Sequence, residues 1–403
     1  MDTVNIEDAP AATTTGDAVA TETVVAVGTR KGLWVARSRD RREWSLEGPH
    51  FLMSEVASVA LDTRAGRRTV LAGVKSWHWG STVQVSTDGG RTFTESAERA
   101  LAFPADTDTA LERVWQLTPD PNDPDVVWAG VEPHALFRSD DGGTRYDLVR
   151  GLWEHPHRDR WEPGFGGGAV HTIVPEPGHP EHLLVAMSAG GVYRSDDGGA
   201  TWAASNTGIR AYFMPHDEYP EFGQCVHKVA RGADGELYAQ NHKGVYRSGD
   251  SGRSWDSIAD GLPTDFGFAV LAHPSRPGTV WNVPVTDDGE RIPPDARLQV
   301  QRSDDSGRTW REQSDGLPSD SYTCVLRDAA CTDDVGGPGD VGPDGSPEAV
   351  GIYLGTRNGD VFASTDEGES FTRIATQLPD VLVVRAARVP VAAPAGARPG
   401  EGA

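Results

Sequence analysis

Lysine is the scarcest charged residue in this 403-residue chain, with four lysines among 37 basic residues. The 60 acidic residues leave a formal charge of −23, and no basic stripe offsets them. Phosphate groups are repelled by such a surface, so a nucleic-acid partner is excluded. Acidic excess with little lysine is typical of halophilic proteins, although codon usage can produce the same preference for arginine. We expect a protein that is most stable in salt.

Cysteines are few, and long apolar runs are lacking. The three cysteines, Cys225, Cys324 and Cys331, are odd in number and lack metal-ligand spacing, which argues against a disulfide framework and a zinc finger. No apolar run is long enough to span a membrane. The first residues carry acids where a signal peptide needs positive charge. The sequence therefore predicts a soluble, cytoplasmic protein without a membrane span.

Glycine (47) and proline (28) are abundant, and an internal repeat organises them. The pattern S-x-D-x-G-x-[ST]-[WF] starts at Ser86, Ser195, Ser248, Ser303 and Ser364. A sixth copy at Ser139 carries Arg145 in place of the hydroxyl residue, and a shortened copy starts at Ser38. A period of about 50–60 residues indicates one repeated supersecondary unit.

Each repeat has the pattern of four short strands. Between residues 170 and 206, runs rich in Val, Tyr and Trp alternate with Gly, Pro and Asp, as expected for strands and turns. The repeated box falls between the third and fourth strands. Its Asp can accept hydrogen bonds from turn amides and its Gly can adopt positive φ, so we interpret the box as structural. Radial repetition of four-stranded units predicts a β-propeller.

The N-terminal and C-terminal strands are predicted to form one blade together. The N-terminal strands have no innermost strand before them, and residues 380–389 supply one near the C-terminus. The predicted fold is therefore all-β: a single seven-bladed β-propeller of four-stranded antiparallel blades, closed by N-terminal strands that pair with the C-terminal innermost strand. We expect the propeller at 23–389, disordered tails at 1–22 and 390–403, and a flexible insertion at 328–348.

The boxes resemble those of the BNR/Asp-box repeat family, and the resemblance covers nearly the whole propeller. Similar boxes occur in sialidases, xyloglucanases, sortilin-type receptors and the photosystem II assembly factor, and the overall pattern is most similar to uncharacterised sialidase-like or glycosyl hydrolase BNR-repeat proteins. The resemblance implies the propeller fold, whereas the chemistry must come from the site.

We expect the site at the channel mouth on the face opposite the boxes. Two long links between blades, 153–168 and 210–224, are rich in aromatic, His and acidic residues, as in binding loops on rigid scaffolds. Aligning the blades from their boxes puts Trp115, His171, His227, Phe268 and Tyr322 at the start of innermost strands. The catalytic candidates are Glu132, the first choice for a general acid or base, His171 and His227. The ligand-binding candidates are Arg30, Trp77, His78, His155, Arg158, Trp161, Asn241, His242 and Arg357.

Sialidase chemistry is disfavoured. The resemblance implies three arginines around a carboxylate, because a guanidinium pairs with it through two hydrogen bonds, and Arg30, Arg357 and Arg158 are the candidates here. A phenolic nucleophile would be Tyr322 or Tyr219. However, the F/Y-R-I-P signature of that family is missing, and VGTRKGLW stands where it would be expected.

Three other functions stay open. A glycosidase needs two carboxylates flanking the sugar, and Trp77 or Trp161 would stack on it. Xyloglucanases pair two propellers around a cleft, and this chain has one. A divalent metal could be held by His78, His171, His227 and His242, although no HxH or HExxH spacing supports this. The third alternative is a non-catalytic binding or assembly propeller. The expected partner is a small anionic or sugar-like ligand, or a protein.

Overall fold

A computed structural model describes residues 20–95, 100–164, 166–212, 217–335 and 348–391. Within these ranges the chain forms seven four-stranded units, two of which are joined through one bridge between Asp328 and Val383. Each unit is antiparallel, and the innermost strands of neighbouring units contact one another around a complete ring. The predicted seven-bladed all-β propeller is confirmed.

The strands are numbered in chain order. Blade 7 begins the chain with β1 (Thr21–Thr29), β2 (Gly32–Ser38) and β3 (Ser45–His50). Blade 1 contains β4 (Glu55–Asp62), β5 (Thr69–Ser76), β6 (Gly80–Ser86) and β7 (Thr94–Glu95). Blade 2 contains β8 (Arg113–Pro119), β9 (Val127–Glu132), β10 (Ala135–Ser139) and β11 (Asp147–Leu148). Blade 3 contains β12 (Val170–Glu176), β13 (His179–Met187), β14 (Gly191–Ser195) and β15 (Ala203–Ala204).

The second half of the ring follows the same order. Blade 4 contains β16 (Val226–Arg231), β17 (Leu237–Asn241), β18 (Val245–Ser248) and β19 (Asp256–Ser257). Blade 5 contains β20 (Gly267–Ala272), β21 (Val280–Pro284), β22 (Val300–Ser303) and β23 (Arg311–Gln313). Blade 6 contains β24 (Val325–Thr332), β25 (Ile352–Thr356), β26 (Val361–Ser364) and β27 (Thr372–Ala375), and β28 (Val381–Pro390) completes blade 7.

In the part of the chain that the structure describes, helical structure is limited to short connecting segments. The α-helix α1 spans Arg150–Trp153, and 3-10 turns lie at Arg64–Gly66, Ala105–Thr107, Arg158–Arg160 and Pro294–Ala296. None of the helices in the described ranges is long and apolar enough to cross a membrane.

The boxes are hydrogen-bonded turns, as the sequence predicts. In blade 5, Ser303 Oγ donates to Asp305 Oδ1 (2.7 Å) and accepts from the Gly307 amide (2.8 Å). Gly307 has φ 86°, and a Cβ there would lie 2.5 Å from Ile258. Trp310 ends this box, and its Nε1 donates to the carbonyl of Ile258 in blade 4 (2.9 Å). The box therefore closes one turn and ties its blade to the preceding blade.

Closure of the ring occurs as the chain ends predict. β28 pairs antiparallel with β1, from Thr21 opposite Pro390 to Thr29 opposite Val381. Strand structure thus begins and ends within two residues of the predicted limits. The terminal segments 1–19 and 392–403 lie outside the described residues.

The predicted insertion at 328–348 begins too early. Residues 328–332 belong to β24, and the Asp328 side chain is buried. Its burial is compensated because Lys228 Nζ and an Arg385 nitrogen lie 2.7 and 2.6 Å from Asp328 Oδ1. The segment 336–347 lies outside the described residues.

Candidate ligand-binding site in the central channel

A β-bulge interrupts the innermost strand of every blade near the same end. At each bulge one extra residue has no partner on the neighbouring strand. The strand bends there, and the direction of that residue's side chain changes. The bulged residues are Ala57, Trp115, His171, His227, Phe268, the segment 326–329 and Leu382. All of these except Ala329 line one cavity at the channel axis.

The cavity has a volume of about 1210 Å³. Besides the bulges, it is lined by turns between second and third strands, including Arg30, His242 and Arg357, and by residues of the links that precede β12 and β16. Both types of connection lie at the ends of the strands away from the boxes. The cavity therefore opens on the box-free face, where the sequence predicts the site.

Arg327 is the most unusual charge in the cavity. Burial lowers the pKa of its guanidinium, and among the described residues its buried Nη1 has no hydrogen-bond partner. The guanidinium carbon lies 5.0 Å from the Trp115 ring centroid, and Arg113 lies 5.0 Å from the same ring. The adjacent acid, Asp328, is bonded to Lys228 and Arg385 instead. Arg327 thus presents to the channel a guanidinium whose buried Nη1 lacks a hydrogen-bond partner among the described residues, although Asp328 and Cys225 favour its charged form.

Two bulged histidines flank this charge. His171 is fully buried, and its Nε2 has no hydrogen-bond partner in the described part of the chain. Burial, reinforced by the positive charge of Arg327, lowers the pKa of His171 well below its usual value and that of His227 to about 3. Both imidazoles are therefore neutral at pH 7.

His227 has a defined tautomer. Its Nδ1 lies 2.6 Å from the carbonyl oxygen of Gly267, which can only accept a hydrogen bond. Nδ1 must therefore carry the proton, which leaves the lone pair on Nε2. The ring also stacks on Phe268, with 5.0 Å between centroids, so its orientation is held from two sides.

The carboxylates of the deep wall are already paired. Burial alone would raise the pKa of Asp328, but Lys228 and Arg385 outweigh it, and the pKa is lowered. Glu55 lies 3.2 Å from Arg30 and 2.7 Å from Arg113. Both carboxylates are ion-pair partners, and the lowered pKa of Asp328 is the opposite of what a general acid needs. Four further acids line the cavity from the two links: Asp159, Glu162, Asp217 and Glu221.

Five of the predicted site residues line the cavity: Arg30, His171, His227, His242 and Arg357. Arg30 and Arg357 share one counter-ion, since both contact Asp380, at 3.2 and 2.9 Å. Arg158 instead lies over the Trp153 ring, 3.4 Å from its centroid. The three arginines considered for a sialidase site therefore do not converge. Tyr219 and Tyr322, the phenolic candidates, are exposed and outside the lining.

Glu132 is not on the cavity wall and holds wall residues in place. It accepts a hydrogen bond from Trp115 Nε1 at 3.0 Å and one from Arg113 at 3.4 Å. A Cβ at Gly167 would lie 2.2 Å from its Oε1, so the following loop covers it. In this structure Glu132 positions Trp115 and Arg113, and a general acid or base at Glu132 stays a prediction.

The remaining predicted residues also serve other purposes. Trp161 is buried and donates to the Tyr193 hydroxyl at 2.8 Å, and His155 stacks on Trp161. Asn241 is buried, and its amide donates to the carbonyls of Arg210 and Lys243. Trp77 and His78 are exposed on a turn of blade 1 outside the lining, with Trp77 92% exposed. Trp161 fixes its loop, and its ring is unavailable for stacking on a sugar.

Sequence reasoning missed Arg327 and Cys225. Alignment of the blades suggested Tyr322 for blade 6, but the wall position belongs to Leu326 and Arg327, because four residues of β24 lie opposite one of β25. Cys225 precedes His227 by two residues, and that spacing puts both on one side of a strand. The Cys-x-His pattern was the available signal.

The described residues contain two groups whose ligand atoms are close enough for a metal ion. In one, single atoms of Cys225, His227 and His242 all lie within 4.8 Å of one another at the cavity wall. The other, His179, Glu181 and His182, is mostly exposed at the opposite ends of the strands. Of the four predicted metal candidates, only His227 and His242 belong to either group.

No family model matches the chain. A xyloglucanase from Paenibacillus sp. is 28% identical over 237 residues, which cover 51% of this chain and 21% of that protein. Among solved structures, an ancestral GH74 enzyme has a TM-score of 0.52 at 15% identity and covers 82% of this chain and 38% of its own. YCF48 from Cyanidioschyzon merolae has a TM-score of 0.47 at 15% identity, covering 79% of this chain and 84% of its own.

These similarities agree with the fold. The chain is a β-propeller with Asp-box turns, and its fold is similar to that of the ancestral GH74 enzyme. It spans about a fifth of the length of the xyloglucanase and less than half of the GH74 structure. Structural likeness at this level of identity describes the fold, and function is argued below from the cavity.

Proposed function

We propose that the central channel binds a small organic anion, with Arg327 as its anchor and a hydroxylated carboxylate, such as a uronic acid, as the ligand class. The supporting observation is the buried Nη1 of Arg327, which has no partner within the described residues. Removing a charge from water without a partner is costly. A carboxylate would supply the missing acceptor through paired hydrogen bonds.

The surrounding wall supports this ligand class. Trp115, beside Arg327, and Phe268, elsewhere on the same wall, offer aromatic surfaces that suit the apolar face of a sugar ring. On the other side, the acids of the two links can accept hydrogen bonds from hydroxyls. A ligand with one carboxylate and several hydroxyls satisfies both sides of the cavity.

Glycoside hydrolysis is the second candidate, favoured by the sequence similarity to a xyloglucanase. The paired state of Asp328 and Glu55 leaves the four acids of the two links for such a reaction, and Glu162 and Glu221 offer one glutamate from each link. Hydrolysis of xyloglucan or uronic-acid oligosaccharides by the protein, and its loss in both Glu162→Gln and Glu221→Gln, would support catalysis. Binding without turnover in the unmodified protein supports the non-catalytic proposal.

A thermal-shift screen tests the binding proposal. Glucuronate, galacturonate, glucose, phosphate and xyloglucan oligosaccharides would be compared at one concentration. A ligand at 100 times its Kd stabilises the folded state by about 2.7 kcal/mol, so a uronate should raise the melting temperature while glucose does not. Equal shifts for glucuronate and glucose, or none for any anion, would contradict a channel selective for carboxylates.

A further inference from the structure

Three side chains that can bind metal lie together on the blade 4 side of the channel. Cys225 directly precedes β16, His227 is the bulged residue of that strand, and His242 directly follows β17. The His242 amide donates to the Cys225 carbonyl at 2.8 Å, which fixes these two segments against each other. Three side chains of metal-binding type therefore meet at one point of the wall.

We propose that Cys225, His227 and His242 form a site for a divalent transition metal of the zinc class, with an open coordination position facing the cavity. One thiolate and two imidazoles are ligands that zinc prefers. Zn–N and Zn–S distances of about 2.0–2.3 Å put tetrahedral ligand atoms about 3.3–3.7 Å apart. The ligand atoms here all lie within 4.8 Å of one another, so small side-chain rotations suffice.

The surroundings of the three residues are arranged as around known metal ligands. The Gly267 carbonyl holds the Nδ1 proton of His227 and so directs Nε2 to the ligand role, as outer partners of metal-bound histidines do. Phe266 packs edge-on against both rings, at 5.7 Å from His227 and 5.0 Å from His242. The Asp288 carboxylate lies 3.6 Å from His242 Nε2 and adds negative charge beside the site.

Three protein ligands with an open position are typical of zinc sites that bind or activate a further ligand, whereas structural zinc sites have four. The open position faces the cavity that also contains Arg327. One step rests on the proposed function: the metal would take one oxygen of the anion that Arg327 holds. The proposed metal site itself does not depend on that anion.

Metal titration of the purified full-length protein tests the site. After treatment with a chelator, the protein should bind one equivalent of Zn²⁺ at this site, and Co²⁺ should produce a thiolate charge-transfer band. Cys225→Ser should abolish the band, and Cys225→Ser or His242→Gln should weaken Zn²⁺ binding by at least about 100-fold, since even outer-partner changes cost 10–100-fold. The double variant His179→Gln/His182→Gln, which removes the exposed group, should keep the band.

A second readout needs no substitution. Zn²⁺ should slow alkylation of Cys225 by iodoacetamide, measured by mass spectrometry, while the buried Cys324 and Cys331 serve as internal references. Unchanged alkylation at saturating Zn²⁺, or a Co²⁺ spectrum without the thiolate band, would overturn the proposal. Arg327→Gln separates the two proposals, since it should lose uronate binding and keep Zn²⁺ binding.

Discussion

Arg327 owes its position to a local irregularity of β24, where four residues lie opposite one residue of β25. The preceding five blades each add one residue at this point, but blade 6 brings Leu326, Arg327 and Asp328 to the channel together. Asp328 is used by Lys228 and Arg385. Asp328 is thus held by two ion pairs, whereas the buried Nη1 of the adjacent Arg327 has no hydrogen-bond partner among the described residues. The functional proposal rests on that difference.

The first prediction concerns His171 and the pH dependence of the free energy of unfolding. Burial holds its pKa well below the usual value, while the unfolded chain has a histidine pKa of about 6.5. Below about pH 6.5 the unfolded state binds a proton that the folded state does not, so the free energy of unfolding falls as the pH drops. His171→Gln should reduce this slope by up to about 1.4 kcal/mol per pH unit.

Urea unfolding between about pH 7.5 and about pH 5 measures the slope. His179→Gln is the matched control, because His179 is exposed and its replacement should leave the slope as in the unmodified protein. Parallel pH dependence for His171→Gln and the unmodified protein would mean that His171 is not held neutral by its environment.

At the scale of elements, the repeated bulge is what turns a ring of sheets into a lined cavity. A regular innermost strand would pair every residue with its neighbour strand, whereas the bulge frees one side chain per blade for the axis. Trp115, His171, His227 and Phe268 are the products of four such bulges. The repeated unit that builds each blade therefore also supplies the side chains of the cavity wall.

Ring closure by β28 gives the second prediction. Deleting residues 380–403 removes the innermost strand of blade 7, which exposes β1 and breaks the ring between blades 6 and 1. We expect loss of cooperative thermal unfolding, measured by calorimetry. Deleting only residues 392–403, which keeps β28, should leave the transition intact. A truncated chain that melts like the full chain would contradict closure by this strand.

The sequence predicts the fold well, because the boxes mark the same turn in each blade and their spacing counts the blades. It also predicts that His171 and His227 lie near the start of innermost strands, which is where the structure has them. Arg327 escapes that spacing because β24 is irregular. Glu132 and Trp161 have suitable chemistry for a site, but their hydrogen bonds to Trp115 and Tyr193 are contacts between segments distant in sequence, which composition and spacing do not reveal.

For the whole molecule, a polar cluster ties blades together inside the channel. Asp328 of blade 6 contacts Lys228 of blade 4 and Arg385 of blade 7. All three side chains are largely buried, with 14%, 4% and 19% exposure for Lys228, Asp328 and Arg385. Two cations sharing one carboxylate make that carboxylate essential to the cluster.

Replacing this carboxylate is the third prediction. Asp328→Asn leaves two cations without their counter-ion, and breaking a buried pair costs about 3–5 kcal/mol. Asp147→Asn is the matched control, because its ion pair with Arg145 is exposed and exposed pairs contribute about 0–1 kcal/mol. Chemical denaturation measures both. Equal stabilities for the two variants would show that the cluster does not hold the ring.

The most direct measurement is calorimetric titration of a uronate into the unmodified protein, Arg327→Gln and Arg373→Gln. Arg373 is the control because it lies on the outermost strand of the same blade, away from the cavity. A hydrogen bond to a charged group contributes about 1.5–3 kcal/mol, so Arg327→Gln should bind roughly 10–150-fold more weakly. Arg373→Gln should bind as the unmodified protein does. Equal uronate affinity in Arg327→Gln and the unmodified protein would contradict the channel as an anion site anchored by Arg327.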